Sequence, residues 1–248
     1  MDAMKSRPPS RGSGASPFAP WLQLQNFDAA MVDLDGTLVD TLGDFVAALG
    51  QMLDELALAG IEADAVEGMV GKGTEHLVRS VLRHVRAGSE AGPELLSAAL
   101  QSYSRHYLRI NGQHSQVYPG ALEGLRALRA QGLRLACLTN KPGEFAKPLL
   151  AAKGLDGYFD FVFGGDAFAR KKPDPLPLFK TCEALGSRPQ RTLMIGDSSN
   201  DAAAARAALC PVVLVSYGYN HGEPVHAVDA DGVVDSLAEL VALARPRG

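Results

Sequence analysis

The chain is poor in cysteine: three residues in 248, Cys137, Cys182 and Cys210, far apart and without a paired spacing. A disulfide framework and a thiolate zinc site are thereby excluded. The three thiols are expected to lie buried in a reducing compartment. No run of 18 apolar residues exists, so a membrane-spanning helix is not expected. The N-terminus lacks the apolar centre of a secretory leader. No excess of positive charge exists either: 24 Lys+Arg against 28 Asp+Glu give a net charge of -4, unlike a general nucleic-acid or acidic-membrane binder. No internal repeat is evident. These absences lead us to expect a cytoplasmic chain with neither a nucleic-acid nor a membrane partner.

What is present is ordinary globular material, 46% apolar and 21% charged. The length allows one or two domains and a sizeable core. Residues 1–26 stand apart, with Pro8, Pro9, Pro17 and Pro20 interleaved with serines and glycines. Such a stretch cannot bury enough apolar surface to offset its ordering entropy, so a flexible tail is expected there; Trp21 within it is assigned nothing.

Beyond the tail, apolar runs at Ala29–Val32, Leu133–Leu138, Phe161–Phe163, Leu193–Ile195 and Val212–Val215 alternate with helix-like segments. Short, nearly continuous apolar runs of this kind predict a parallel sheet buried between helices, an α/β fold. The first two runs are about 100 residues apart, too far for one crossover. An insertion over 41–118 is therefore expected, and it reads as all helix. Leu42, Phe45, Val46, Leu49, Leu53 and Leu56 fall at helical spacing, as do Leu77, Val78, Val81, Leu82 and Val85. A third helix is predicted over roughly Glu94–Arg109. Between the first two lies Gly71-Lys72-Gly73, with Thr74 as the expected N-cap.

Four polar clusters follow apolar runs. Asp33-Leu34-Asp35-Gly36-Thr37 follows the first, where open α/β sheets bind ligands. Two carboxylates so close repel each other, and a divalent cation would relieve that; a solvated Asp-Gly turn is the plain alternative. Thr139-Asn140 offers a hydroxyl and N–H groups before a helix, an anion site or only a cap for the helix near Gly143. Lys172, inside Lys171-Lys172-Pro173-Asp174-Pro175, sits on a stretch stiffened by prolines, aimed at a ligand or lying in a solvated basic turn. Gly196-Asp197-Ser198-Ser199-Asn200-Asp201 puts acids at another strand end, with Ser198 or Ser199 capping the next helix. Together the clusters supply a nucleophile, a proton donor, cation ligands and clamps, the set that a phosphate ester needs.

In order and spacing, these motifs resemble the haloacid dehalogenase superfamily of phosphatases over about 27–245. Within it, Gly164-Gly165-Asp166, Lys172-Pro173-Asp174-Pro175 and the stretch from Val215 to Glu223 are similar to bacterial phosphoglycolate phosphatases. The resemblance implies a Rossmann-like parallel sheet core, 27–40 and 119–248, with an inserted all-helical cap domain over 41–118. It implies a Mg²⁺-dependent phosphomonoesterase acting on 2-phosphoglycolate, as monomer or homodimer, with a small phosphorylated metabolite as partner. Asp33 would be the nucleophile and Asp35 the general acid and base. Mg²⁺ would be held by Asp33, the Asp35 carbonyl and Asp197, with Asp201 supporting from behind. Thr139 and the Asn140 N–H would bind the phosphoryl oxygens, and Lys172 would neutralise them. Lys72 is expected to reach the substrate carboxylate, an exposed turn lysine being the alternative. A departure is Leu209-Cys210, where the family commonly carries glycine before Cys-Pro; little effect is expected.

Other activities stay open at this stage. A sibling phosphatase could act on a sugar phosphate such as N-acetylmuramic acid 6-phosphate, and a phosphomutase would use the same aspartyl-phosphate. A true dehalogenase has no need of Asp35 or a metal. A silent phosphometabolite-binding relative would be expected to lack part of the set, and here Asp33, Asp35, Thr139, Lys172 and Asp197 are all present. The histidines form no ligand cluster and are expected on the surface or in packing. Arg79, Arg83 and Arg86 are read as a solvated helix face, and Asp166 as a turn residue or a neighbour of the site.

Overall fold

The computed structural model describes residues 23–243. Most of the expected tail lies outside these residues. Its end does not behave as a tail: Leu24–Asn26 form a 3-10 turn and Leu24 packs into the main core. The boundary expected at 26 is thus corrected, because an apolar side chain there finds a buried berth.

Five parallel strands arise where apolar runs predict them: β1 (Ala29–Val32), β4 (Arg134–Leu138), β5 (Phe161–Phe163), β6 (Thr192–Gly196) and β7 (Val212–Val215). A sixth, β8 (Gly232–Val234), joins the edge, giving the order β5-β4-β1-β6-β7-β8. β1 is fully buried and pairs in register with β4 on one side and β6 on the other. A strand covered on both faces must be apolar at every position, which is why its four residues show no alternation. Ala30 and Val32 enter one core layer, with Leu125, Leu149 and Leu240 from α5 (Ala121–Ala130), α6 (Gly143–Ala152) and α9 (Leu237–Leu243). Ala29 and Met31 enter the other, with Leu178 and Ala205 from α7 (Leu176–Ala184) and α8 (Ser199–Ala208). The chain winds outward from β1 to β5, then crosses back to build β6, β7 and β8. The carboxyl ends of β4, β1 and β6 therefore flank a topological switch point, where a crevice opens.

The insertion between β1 and β4 contains α1 (Leu42–Glu55), α2 (Ala63–Glu67), α3 (Thr74–Val85) and α4 (Pro93–Ile110). Its helices bury Phe45, Leu49, Leu53, Leu77, Val81 and Tyr103 in a second cluster, which Phe145 of α6 and Tyr219 join from the core. It is not wholly helical: β3 (Gln116–Val117) pairs antiparallel with β2 (Val39–Asp40), so the outgoing and incoming linkers form a two-stranded ribbon. Buried Asp44 fastens this neck by accepting bonds from Gly112 N at 2.8 Å and His114 N at 2.7 Å. The N-cap of α3 is Gly73, at φ +88°, and Thr74 is the first helical residue; a left-handed turn here suits glycine better than threonine. Leu209 sits at φ +60° as the C-cap of α8, which gives the physical reason for a glycine preference at that position. All three cysteines are free and buried.

Candidate active site

At the end of β1 the ladder continues one residue further, with Asp33 N bonded to Ile195 O at 2.9 Å. The chain then turns: Leu34 points into the core, and Gly36 takes φ +81°. A Cβ on Gly36 would lie 2.2 Å from Asp197 Oδ2, so only glycine allows the loop to approach so closely. The turn brings Asp33 and Asp35 to the same pocket.

Lys172, from the loop before α7, is buried and donates to Asp33 Oδ2 at 3.0 Å, Asp201 Oδ1 at 2.7 Å and Leu138 O at 2.7 Å. Three acceptors use all three donors of its ammonium. Asp201 is wholly buried; its other oxygen accepts from Ser198 N at 3.2 Å and Ser198 Oγ at 2.9 Å. It thus braces the lysine and the β6–α8 loop together. Asp197 is held by Thr37 Oγ1 at 2.9 Å and Tyr219 N at 2.6 Å. On the opposite side Lys141 Nζ pairs with Asp35 at 2.9 and 3.2 Å.

Burial pushes the Asp33 carboxyl up to about 7; Lys172 opposes this, while Asp201 and Asp35 add to it. Asp197 is raised well above the ordinary carboxylate range, first by burial and then by the charges of Asp201 and Asp33. Burial alone would lower the Lys172 ammonium, but the charges of Asp201 and Asp33 outweigh it and raise it. Oxygens of Asp33, Asp197 and Asp201 lie within 4.8 Å of one another. Four carboxylates, Asp33, Asp35, Asp197 and Asp201, face two ammonium groups, Lys141 and Lys172, leaving two negative charges over. A hard divalent cation fits that donor set and that charge.

The pocket is closed from above by the insertion, which contributes Phe45, Val70, Gly71, Gly73, Thr74 and Leu77. The enclosed space is about 30 Å³, room for about two waters. A hydrophobic lid over clustered charges excludes bulk water and strengthens their interactions.

The family model for haloacid dehalogenase-like hydrolases matches residues 27–208. The chain belongs to this family. It is 46% identical over 215 residues to a phosphoglycolate phosphatase of Nitrosospira multiformis, covering 87% of this chain and 94% of that protein. It is 44% identical over 211 residues to one of Thiobacillus denitrificans, covering 85% and 92%. The crystal structure of a predicted phosphoglycolate phosphatase from Haemophilus somnus superposes with a TM-score of 0.85 at 32% identity, covering 89% of this chain and 99% of that one. By fold and by kinship the chain is a haloacid dehalogenase-like hydrolase, and the first two of these relatives are named as phosphatases.

Of the residues singled out in the sequence, Asp33, Asp35, Thr139, Asn140 and Asp197 line one pocket of this hydrolase, and Lys172 and Asp201 lie against it. Lys72 does not join them. Its neighbours Gly71, Gly73 and Thr74 line the pocket, whereas the exposed Lys72 lines an adjoining open groove with Glu75, His76, Arg79 and Lys171. The reason is local: Gly71 O is drawn to the core by Asn140 Nδ2 at 3.0 Å and Asn200 Nδ2 at 3.3 Å, and the next side chain is left outside. Arg79 lines that same groove and is paired with Glu75. Asp166 caps α6, accepting from Gly143 N at 2.8 Å.

Three contributions escaped the sequence. The Asn140 side chain ties Gly71 of the insertion to Lys172 O, at 3.0 and 2.8 Å. Tyr219 serves Asp197 through its N–H, while its hydroxyl accepts from Thr41 N at 2.9 Å and Leu42 N at 3.1 Å at the neck. Lys141 stands beside Thr139-Asn140, and only its position next to that motif hinted at a role.

Proposed function

We propose that the chain is a Mg²⁺-dependent phosphomonoesterase that hydrolyses 2-phosphoglycolate to glycolate and phosphate through an aspartyl-phosphate on Asp33. The observation that carries this is the buried cluster in which Lys172 bridges Asp33 and Asp201 beside Asp197, under a closed apolar lid. In the first step an Asp33 carboxylate oxygen attacks phosphorus and the bond from phosphorus to the glycolate oxygen breaks. Asp35 gives its proton to that leaving oxygen. In the second step Asp35 takes a proton from water, the water oxygen bonds to phosphorus, and the Asp33–phosphorus bond breaks to release phosphate. Leu34 N at 2.7 Å and Lys172 at 3.0 Å fix the two oxygens of Asp33 for this attack. Thr139, the Asn140 N–H and Lys172 stabilise the charge on the transferring group. Mg²⁺ would be held by Asp33, Asp197 and the Asp35 carbonyl, with Asp201 bracing from behind, and would supply neutralisation of that charge.

The choice of 2-phosphoglycolate is supported by the names of the relatives at 44% and 46% identity. The test is phosphate release from 2-phosphoglycolate, sugar 6-phosphates including that of N-acetylmuramic acid, and p-nitrophenyl phosphate, with and without Mg²⁺. Asp33→Asn serves as the blank. We expect 2-phosphoglycolate to lead by about tenfold or more in kcat/KM, about 1.4 kcal/mol in the transition state. Asp33→Asn should lower every rate by on the order of 10⁴-fold. A leading sugar phosphate would overturn the substrate, and a persistent rate in Asp33→Asn would overturn the nucleophile.

A further inference from the structure

We propose that Lys141 is the receptor for the substrate carboxylate, and that by taking it Lys141 lets go of Asp35. The proposal rests on the reading of the site as one for 2-phosphoglycolate. Among the pocket-lining residues Lys141 alone carries a positive charge. It is buried, at 5% exposure. Among the described residues its ammonium has one hydrogen-bond acceptor, the Asp35 carboxylate, at 2.9 and 3.2 Å. Two ring faces of the insertion also lie against it, Phe45 at 4.5 Å and Tyr107 at 4.6 Å to the centroids. An ammonium has three protons to give, so this one is seated in a desolvated aromatic cradle with bonding capacity to spare.

The position follows from the chemistry. With phosphorus opposite Asp33 and the leaving oxygen beside Asp35, the carboxylate of a two-carbon ester is two bonds from that oxygen. It therefore falls close to Asp35, under the lid, where the ammonium of Lys141 already is. A carboxylate carried under the lid without a cationic partner would be costly. Lys72 lines the adjoining groove, with Lys171 and Lys172, rather than this pocket.

The pairing also limits Asp35. While Lys141 spans both its oxygens, Asp35 shares each of them with the ammonium as it exchanges a proton with the leaving oxygen. An arriving carboxylate gives Lys141 an equivalent anionic partner, and the exchange frees an Asp35 oxygen for proton transfer. A phosphate ester with a neutral leaving group offers no such exchange. Selectivity for an acidic leaving group then enters kcat as well as KM. Phe45 and Tyr107 hold the ammonium in reach of both partners, so the closed insertion is part of the device.

The experiment compares kcat and KM for 2-phosphoglycolate and for its neutral amide, 2-phosphoglycolamide, both with Mg²⁺, in the wild type, Lys141→Met and Lys141→Arg. The wild type should favour the acid by about thirtyfold or more in kcat/KM, the scale of a buried charge-assisted bond. Lys141→Met should cut that ratio to about threefold or less. Lys141→Arg should restore part of it. Competitive inhibition by glycolate should weaken in Lys141→Met far more than inhibition by inorganic phosphate. If Lys141→Met does not fold, Lys141→Gln carries the same comparison. Equal losses on acid and amide would overturn the proposal, leaving Lys141 as a brace for Asp35. An unchanged ratio would overturn it too, with the carboxylate held elsewhere. A wild type indifferent to acid against amide would instead sink the 2-phosphoglycolate reading itself, and Lys141 with it, before any variant is made.

Discussion

The sheet core and the helical insertion meet at one pocket and give it opposite things. From the core come Asp33, Asp35, Thr139, Asn140, Lys141, Asp197 and Ser198, all polar. From the insertion come Phe45, Val70, Leu77 and the turn at Gly71, Gly73 and Thr74, none of them charged. The charged groups stand at the ends of strands locked on both sides by parallel neighbours. Charges that must stabilise a transition state need a mount that does not reorganise. The insertion hangs on a neck of two short strands and touches the core through bonds such as Asn140 to Gly71 O. Most of its apolar side chains pack among its own helices, the build that suits a part able to open and close. Division of labour follows from stiffness: chemistry on the sheet, dryness and fit on the lid.

The comparison can be broken first at Lys172. Lys172→Met leaves Asp33 and Asp201 buried without their ammonium, a loss of about 3–5 kcal/mol in stability, readable by denaturant unfolding at neutral pH. Activity should fall by about 10³-fold on every substrate, equal to about 4 kcal/mol. A loss confined to one substrate would mean that the core, too, selects leaving groups.

Magnesium gives a smaller test of the core alone. Asp33 is raised to about 7 by burial, so below about that pH its neutral form is the favoured one in the metal-free fold. Its contribution to stability is full below the unfolded carboxyl value and is lost as pH climbs through about 7. A cation should reverse that loss where the carboxylates are ionised. At about a hundredfold over its Kd it adds about 2.7 kcal/mol, roughly 5–10 °C in Tm, near pH 8. Near pH 5.5 protons compete and the gain should be less than about half as large. Thermal melts with and without Mg²⁺ at the two pH values check this. An equal gain at both would separate the cation from Asp33 and Asp197.

The smallest effect belongs to the lid. Phe45→Leu stays apolar with a modest loss of volume and removes the ring beside Lys141, worth about 0.5–1 kcal/mol or about threefold in kcat/KM. Steady-state kinetics on 2-phosphoglycolate would read it. A loss on the scale of Lys172→Met would show that the insertion carries chemistry after all.

Much of this was legible before the fold was seen. Ala29–Val32 and Val212–Val215 announce themselves because strands buried on both faces must be apolar throughout. The α1 and α3 stripes show at helical spacing. Gly232–Val234 did not, being three residues long and starting with glycine. Neither did α2, a helix of five residues, nor the pairing of β2 with β3, which joins residues on either side of the whole insertion. In the site, Asp33, Asp35, Asp197 and Lys172 stood out because they follow strand-like runs or a rigid proline stretch. The direction of Lys72 was not legible, since a lysine between glycines has no local feature that says which way it faces.

The sequence by itself therefore determined the strands, the helical insertion and the loops that carry charge, because those depend on composition and period over a few neighbouring residues. Only the tertiary structure decided that Lys141 rather than Lys72 faces the pocket. It also decided that Asn140 and Asn200 draw in Gly71, and that Tyr219 joins Asp197 to the neck. These contacts span 22 to 178 residues along the chain. Side-chain direction in a loop is set by what packs against it, and that partner is chosen by the fold.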